Sequence, residues 1–203
     1  MKKHLSSIFT ISATLALLSG CASYHAAPLN NLSSDAVCSS SVKNSDVIVL
    51  ARSFDKVDCK RYLDRDVLAK GYQPVQLYIQ NNSDQSYSFS LDRIDIPHAR
   101  AEAVAAKVHT STVGRILGYG IPGLVVVWPL IIPAVVDGIK SSDANEALDM
   151  DFSSKAAKNQ IINPYTHFNK ILFVPVNDHK SSFNITLINQ ESNEPQTFKV
   201  FVG

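Results

Sequence analysis

Cysteine, tryptophan and methionine are scarce in this sequence, which has 3, 1 and 2 of them, and charge of neither sign is in excess. The 19 basic and 18 acidic residues leave a formal net charge of +1. Proteins that bind nucleic acids carry clustered Lys and Arg to neutralise phosphates. The balanced charge therefore gives no electrostatic case for a nucleic-acid partner.

Catalytic and metal-binding motifs are also missing. The histidines do not fall at the H-x₃-H or HExxH spacings that hold a metal ion. No G-x-S-x-G elbow marks a serine nucleophile. We therefore predict no metal, no catalytic residue and no enzymatic activity, and we keep a hydrolase that uses His109 or His167 as a third hypothesis.

The N-terminus is built like a secretory signal. Lys2 and Lys3 precede a largely apolar stretch, residues 5–18, and small residues follow it. This layout is too short and wrongly flanked for a transmembrane helix. We predict that residues 1–20 are a signal peptide, which leaves a mature chain of 183 residues with 17 basic and 18 acidic residues.

The end of this signal, Leu18-Ser19-Gly20-Cys21, resembles the lipobox of bacterial lipoprotein precursors. The resemblance implies that diacylglycerol is attached to Cys21, that the chain is cleaved before this residue, and that the new amino terminus is acylated. Inner-membrane lipoproteins usually carry Asp at the next position, which is Ala22 here, so the periplasmic face of the outer membrane is implied. Several acyl chains anchor a protein durably, because each buried CH₂ contributes about 0.8 kcal/mol. No other cofactor is expected.

Two cysteines remain beyond the anchor. Cys38 and Cys59 would enter an oxidising compartment after export, which favours a disulfide between them over two free thiols. Residues 21–45 are rich in Ser, Asn and Ala and have few large apolar side chains. We expect this stretch to be a flexible tether between the lipid and a domain that begins at residue 46.

The rest of the chain has strand patterns on both sides of a helical segment. Apolar and polar residues alternate in 74–81 and 86–96 around a polar turn, which predicts a β-hairpin. A second hairpin is predicted from 182–189 and 196–203. Further strands are expected at 46–54, 159–164 and 170–176, and helices at 99–112 and 144–158.

Six or seven antiparallel strands at this spacing predict a mainly β protein with an antiparallel β-sandwich. The stretch IINPYTHFNKILFVPV, at 161–176, is similar to the proline-bearing turn and following strand of Ig-like envelope domains, which implies an Ig-like fold. We predict one domain, 46–203, interrupted by an α-helical, apolar insertion at about 98–158 that contains Gly and Pro. Asp143 and Glu146 match a capping box for the second helix of this insertion.

The insertion contains ILGYGIPGLVVVWPLIIPAVV, 21 uncharged residues at 116–136. Its G-x-G-x-x-G pattern lacks the preceding strand and the parallel βαβ unit of a dinucleotide site. A helix of this length reaches about 30 Å, enough to cross a bilayer, but Pro122, Pro129 and Pro133 remove hydrogen bonds that lipid cannot replace. Contact with a membrane or a partner protein, and packing in the core, are therefore favoured over a span.

The leading interpretation is a non-enzymatic scaffold or binding module of the cell envelope. Its lipid anchors it to the membrane, and its insertion contacts the membrane, another envelope protein or a second copy of the chain. The alternative is a periplasmic ligand-binding lipoprotein with a pocket between insertion and sandwich. The residues expected at the contact are Tyr119, Gly120, Pro122, Val126, Trp128 and Pro129.

Overall fold

The structure is a computed structural model that describes residues 23–33, 40–41, 46–110 and 128–203, with the backbone alone for 40–41 and 128–141. The chain divides into two compact units. The larger, called the body, comprises His25–Val108 and Leu148–Gly203. The second unit comprises Met1–Tyr24 and His109–Ala147.

Eight strands and three α-helices are found in the described residues. The strands are β1 (Ser40–Ser41), β2 (Val47–Ser53), β3 (Tyr72–Asn81), β4 (Tyr87–Phe89), β5 (Gln160–Ile162), β6 (His167–Pro175), β7 (Ser182–Asn189) and β8 (Pro195–Phe201). The helices are α1 (Lys56–Leu63), α2 (Ala101–Val108) and α3 (Trp128–Lys155).

The strands form two four-stranded antiparallel sheets. The first sheet has the order β1-β2-β3-β6, and the second has the order β5-β4-β7-β8. The predicted hairpin at the C-terminus is confirmed, since β7 and β8 pair along their length from Ser182 opposite Phe201 to Ile188 opposite Pro195. The mainly β, antiparallel prediction is also confirmed, and the arrangement is consistent with a β-sandwich-like fold.

The predicted hairpin between 74–81 and 86–96 is wrong. Strand β3 pairs with β2 and β6, whereas β4 pairs with β5 and β7 in the other sheet. The side chain of Asn81 donates to the carbonyls of Gln85 at 2.7 Å and Asn163 at 3.0 Å, which fixes a crossing between the sheets. Alternation shows only that each strand has an apolar face; it does not tell whether two such faces lie side by side or opposite each other.

The apolar faces of the two sheets meet in one core. Phe89 of the second sheet packs on Phe168 of the first, with ring centroids 4.5 Å apart. Burying a side chain of this size stabilises the fold by about 1.5–3 kcal/mol. The other members of this core that lie on the sheets are Val47, Val49, Ala51, Val75, Leu77, Ile79, Leu172, Val174, Tyr87, Ile162, Phe183, Ile185, Leu187, Phe198 and Val200.

Helix α1 begins at a capping box. The Asp55 carboxylate accepts a hydrogen bond from the Asp58 backbone N–H at 2.7 Å, and the box is completed by Asp58 and the Asp55 amide. Three residues at i, i+3 and i+4 spacing, Cys59, Tyr62 and Leu63, are buried. The helix ends at Asp64, whose backbone is left-handed with φ 48°.

Helix α3 starts earlier than the sequence pattern predicts. Asp143 and Glu146 lie inside it, so the predicted capping box is wrong, while Pro129 lies in the first turn, where a missing amide is tolerated. Leu148 and Phe152, four residues apart on one face of this helix, are both fully buried. Within the part of the chain that the structure describes, no helix has the length and apolar character needed to span a membrane.

Candidate functional site

Most of the predicted site residues lie outside the described residues. This holds for the lipidation site Cys21, for Cys38, and for four contact residues, Tyr119, Gly120, Pro122 and Val126. Trp128 and Pro129 form the start of α3, where the backbone alone is described. The lipid anchor and the apolar contact therefore stay predictions.

Cys59 is described, and it is a free thiol that is fully buried on the inner face of α1. Burial, together with the smaller effect of the nearby Asp66 carboxylate, raises the pKa of this thiol from 9.0 to about 11. Because its predicted partner Cys38 is outside the described residues, the disulfide stays a prediction. A thiol with this pKa is protonated at neutral pH and is a poor nucleophile.

A network of hydrogen bonds in the body is formed by residues that follow the predicted anchor closely in sequence. Residues 25–33, called the docked segment, were expected to be part of a flexible tether, but they are hydrogen-bonded to the rest of the body. The His25 amide donates to the Asp64 carboxylate at 3.0 Å, and the Ala27 amide donates to the Arg61 carbonyl at 2.8 Å. The end of α1 thus holds the chain four residues after Cys21.

Asp64 is the acceptor at the centre of this contact. It is 8 % exposed, and besides His25 it accepts hydrogen bonds from Lys60 and from Arg65, the latter at 3.1 Å. Burial by itself would raise the pKa of this carboxyl, but the hydrogen bonds from Lys60 and the His25 amide, with the charges of Lys60 and Arg65, lower it below 3.8. Asp64 is therefore ionised at neutral pH.

Lys155, in the last turn of α3, binds the docked segment from another side. Its ammonium group donates to the Ala27 carbonyl at 2.8 Å, to the Tyr62 carbonyl at 2.7 Å and to the Asp151 carboxylate at 2.7 Å. The residue is 7 % exposed, so all three donors of the ammonium are used inside the protein. One buried cation thus joins the docked segment, α1 and α3.

The docked segment also covers the outer face of the first sheet. The Asn30 carbonyl accepts hydrogen bonds from Gln76 at 2.7 Å and from Asn169 at 3.2 Å. Leu32 packs against Leu50 and Tyr78, which form a small apolar cluster of their own. This cover explains why Gln76, on the face of β3 that alternation assigns to solvent, is only 1 % exposed.

The two ends of the predicted insertion are fixed to the same strand of the first sheet. The Ala99 amide donates to the Phe173 carbonyl at 2.7 Å, and the Ala157 amide donates to the Ile171 carbonyl at 2.9 Å. Carbonyls two residues apart on a strand point to the same edge, so the chain leaves and returns at neighbouring positions on β6. The ring of Phe152 stacks on that of Phe173, with centroids 5.5 Å apart and planes inclined by 3°.

A cleft of about 240 Å³ lies at these insertion ends. It is lined by residues 98–102 and 156–158, by 171–173 of β6, and by Leu91. The charged side chains on its lining are those of Arg100, Glu102 and Lys158. The ligand-binding hypothesis assumes a pocket between insertion and sandwich with Tyr119 and Trp128 on its lining, but Tyr119 and the Trp128 side chain lie outside the described residues.

Two of the described histidines contact an aromatic or hydroxyl-bearing side chain. The ring of His167 stacks on Tyr78, with centroids 5.6 Å apart. The Ser53 hydroxyl lies 3.1 Å from His179 Nε2, a pair that the sequence analysis did not identify, but it is outside the described cleft. Over the described ranges, no group of three potential metal ligands is found.

Comparisons with known proteins identify no relatives. No family model, no curated protein and no solved structure matches the chain. The functional argument therefore depends on the sequence and on the contacts described above.

Proposed function

We propose that this chain is a lipid-anchored, non-enzymatic protein of the bacterial cell envelope, on the periplasmic face of the outer membrane. In this proposal an Ig-like sandwich is the scaffold, and the apolar insertion at about 98–158 contacts the membrane or a partner protein. The lipid is carried by Cys21, and the contact is made around Tyr119, Gly120, Pro122, Val126, Trp128 and Pro129.

The observation that carries the proposal is the attachment of both insertion ends to β6. Ala99 and Ala157 bind carbonyls two residues apart, and the apolar core shared by the two sheets contains none of the described residues between these points. A segment that leaves and re-enters a folded scaffold at one place is free to serve an external contact. Its 21 uncharged residues at 116–136 suit an apolar partner surface or the bilayer.

Two measurements on cells test the proposal. Mass spectrometry of the N-terminal peptide should find Cys21 as the first residue, with acyl chains attached, and a Cys21→Ser variant should lose them. A photo-crosslinker at position 128 should yield adducts with lipid or with a protein, whereas one at Thr197, an exposed position on β8, should not. An intact bond between Gly20 and Cys21, or no adducts from position 128, would reject the proposal.

The cleft favours a second candidate, a ligand-binding lipoprotein. Its lining combines apolar residues such as Phe173 with the charges of Arg100, Glu102 and Lys158, which would suit a small molecule that has both apolar and charged groups. Protein purified from the envelope should then release a small molecule on denaturation, and an Ala99→Trp variant should release none. Thr197→Trp is the control, and equal release from both variants would reject this candidate.

A further inference from the structure

The docked segment shortens the connection between the predicted lipid and the body. If residues 21–45 were free, the chain from Cys21 to β2 would reach about 90 Å. Because the His25 amide is bound to Asp64, only three residues lie between the anchor and the body, and the four Cα–Cα steps from Cys21 to His25 span at most about 14 Å. The end of α1 is therefore held close to the place where the acyl chains enter the bilayer.

The solvent face of α1 has the composition of a surface that binds headgroups. Lys56, Val57, Lys60 and Arg61 fall at i, i+1, i+4 and i+5, so they lie on one side of the helix, opposite the buried Cys59. Lys60 pairs with Asp64 but keeps 74 % of its side chain exposed, and Val57 is 72 % exposed. None of the four exposed residues is acidic.

From these two observations we propose that the face of α1 formed by Lys56, Val57, Lys60 and Arg61 docks on anionic phospholipid headgroups beside the anchor. The inference rests on the proposed function, since it needs the lipid at Cys21. Lys and Arg near a membrane are attracted by the negative surface potential, which decays within one Debye length, about 8–10 Å at physiological salt. The short connection keeps the α1 face close enough to the membrane surface to feel this potential, whereas a free tether would let it move well beyond the Debye length.

The test uses the full lipidated protein, purified from the envelope and reconstituted into vesicles of phosphatidylcholine with or without phosphatidylglycerol. A photo-crosslinker replaces Val57, and the same group at the exposed Thr197 of β8 is the control position. We expect at least five-fold more lipid adduct from position 57 than from position 197 in anionic vesicles. The excess should fall in high salt and in vesicles without phosphatidylglycerol.

Charge-reversal variants distinguish a contact made by α1 from a general attraction of the whole protein to anionic lipid. Lys56→Glu with Arg61→Glu should reduce the adduct from position 57 several-fold, whereas the matched pair Lys180→Glu with Lys199→Glu, on exposed residues outside α1, should leave it unchanged. Equal adduct from positions 57 and 197, or equal loss with both pairs, overturns the inference.

Mass spectrometry of the same sample shows whether a negative result concerns the α1 contact alone or the lipid anchor as well. An acylated protein without selective adduct overturns the inference alone, and an unprocessed Cys21 overturns the proposed function with it.

Discussion

The two sheets differ in how many of their faces are covered. In the second sheet, buried and solvent-accessible residues alternate along β7 and β8, so one face is in the core and the other faces water. In the first sheet, six consecutive residues of β3, from Pro74 to Ile79, are buried. The docked segment lies over part of its outer face, and Phe152 of α3 packs on Phe173 of β6.

The candidate functional features all involve the first sheet, whose outer face is partly covered. The attachment of the insertion ends and the cleft involve β6, and the docked segment contacts β3 and β6. The second sheet supplies about half of the core, and its outer face, which includes the exposed Ile161 and Phe201, is open to solvent. The outer layer of the first sheet should therefore be sensitive to substitution at positions where the open face of the second sheet is tolerant.

The largest effect is expected from Phe152→Ala. This side chain is fully buried on the outer side of the first sheet, and its removal should lower the free energy of unfolding by about 3–5 kcal/mol. Phe201→Ala, at a position of the second sheet that is 45 % exposed, should lower it by about 1 kcal/mol or less. Urea titration of the mature chain measures both, and equal losses would contradict the contrast between the sheets.

Lys155→Met should have the next largest effect. It keeps the length of the side chain but leaves the carbonyls of Ala27 and Tyr62 and the Asp151 carboxylate without this donor. We expect a loss of about 2–4 kcal/mol in unfolding free energy and faster hydrogen exchange in residues 25–33. Lys158→Met, which removes an exposed bond to Ser153, is the control and should change stability by less than about 0.5 kcal/mol.

Cys59 should make the protein less stable at high pH. Its pKa is raised in the fold from 9.0 to about 11, so the unfolded chain ionises first, and stability is full below pH 9 and declines as the pH rises toward 11. The loss should reach about 2 kcal/mol by pH 11. Urea titrations from pH 8 to 11 measure it, and Cys59→Ala should remove the decline.

The same thiol also tests the predicted disulfide. If Cys38 and Cys59 are paired, the unreduced protein in denaturant has no reactive thiol at either position, and stability shows no such decline before reduction. A thiol at Cys59 that reacts only after unfolding would instead support the free, buried state.

The smallest effect concerns Asp64 at low pH. Its pKa is lowered in the fold, so its contribution is present above the unfolded value of about 3.9 and is lost as the pH falls through the folded value. Hydrogen exchange of the Ala27 amide should therefore accelerate, relative to its intrinsic rate, below about pH 4. Asp64→Asn should show no such step and should lose about 1.5 kcal/mol of stability at neutral pH.

The contrast between the sheets also explains what the sequence predicts well. Apolar and polar residues alternate along β7 and β8 because only one face of these strands packs in the core. Their hairpin could therefore be predicted from the local pattern alone. The docked segment is bound largely through backbone groups, such as the amides of His25 and Ala27, which every residue carries. The Ser-, Asn- and Ala-rich composition of residues 21–45 therefore gives no sign of the contact.

Charged pairs at i, i+4 spacing were the one local sign of the site. Lys60 with Asp64 and Asp151 with Lys155 are visible in the sequence as helix pairs, but their further partners come from distant segments. The hairpin predicted between β3 and β4 is wrong for the same reason, because the strands that pair with them come from distant segments. Which strand lies beside β3 is decided by the closure of the core, and both alternatives satisfy the local alternation.

Ala99 and Ala157 have a last consequence for how copies of this protein behave when crowded. Outer strands with free amides and carbonyls recruit further strands, and growth of this kind leads to fibres. At β6 the carbonyls of Ile171 and Phe173 are already occupied from within the same molecule. The protein is thus shielded from strand-by-strand association with further copies along this side of the sheet.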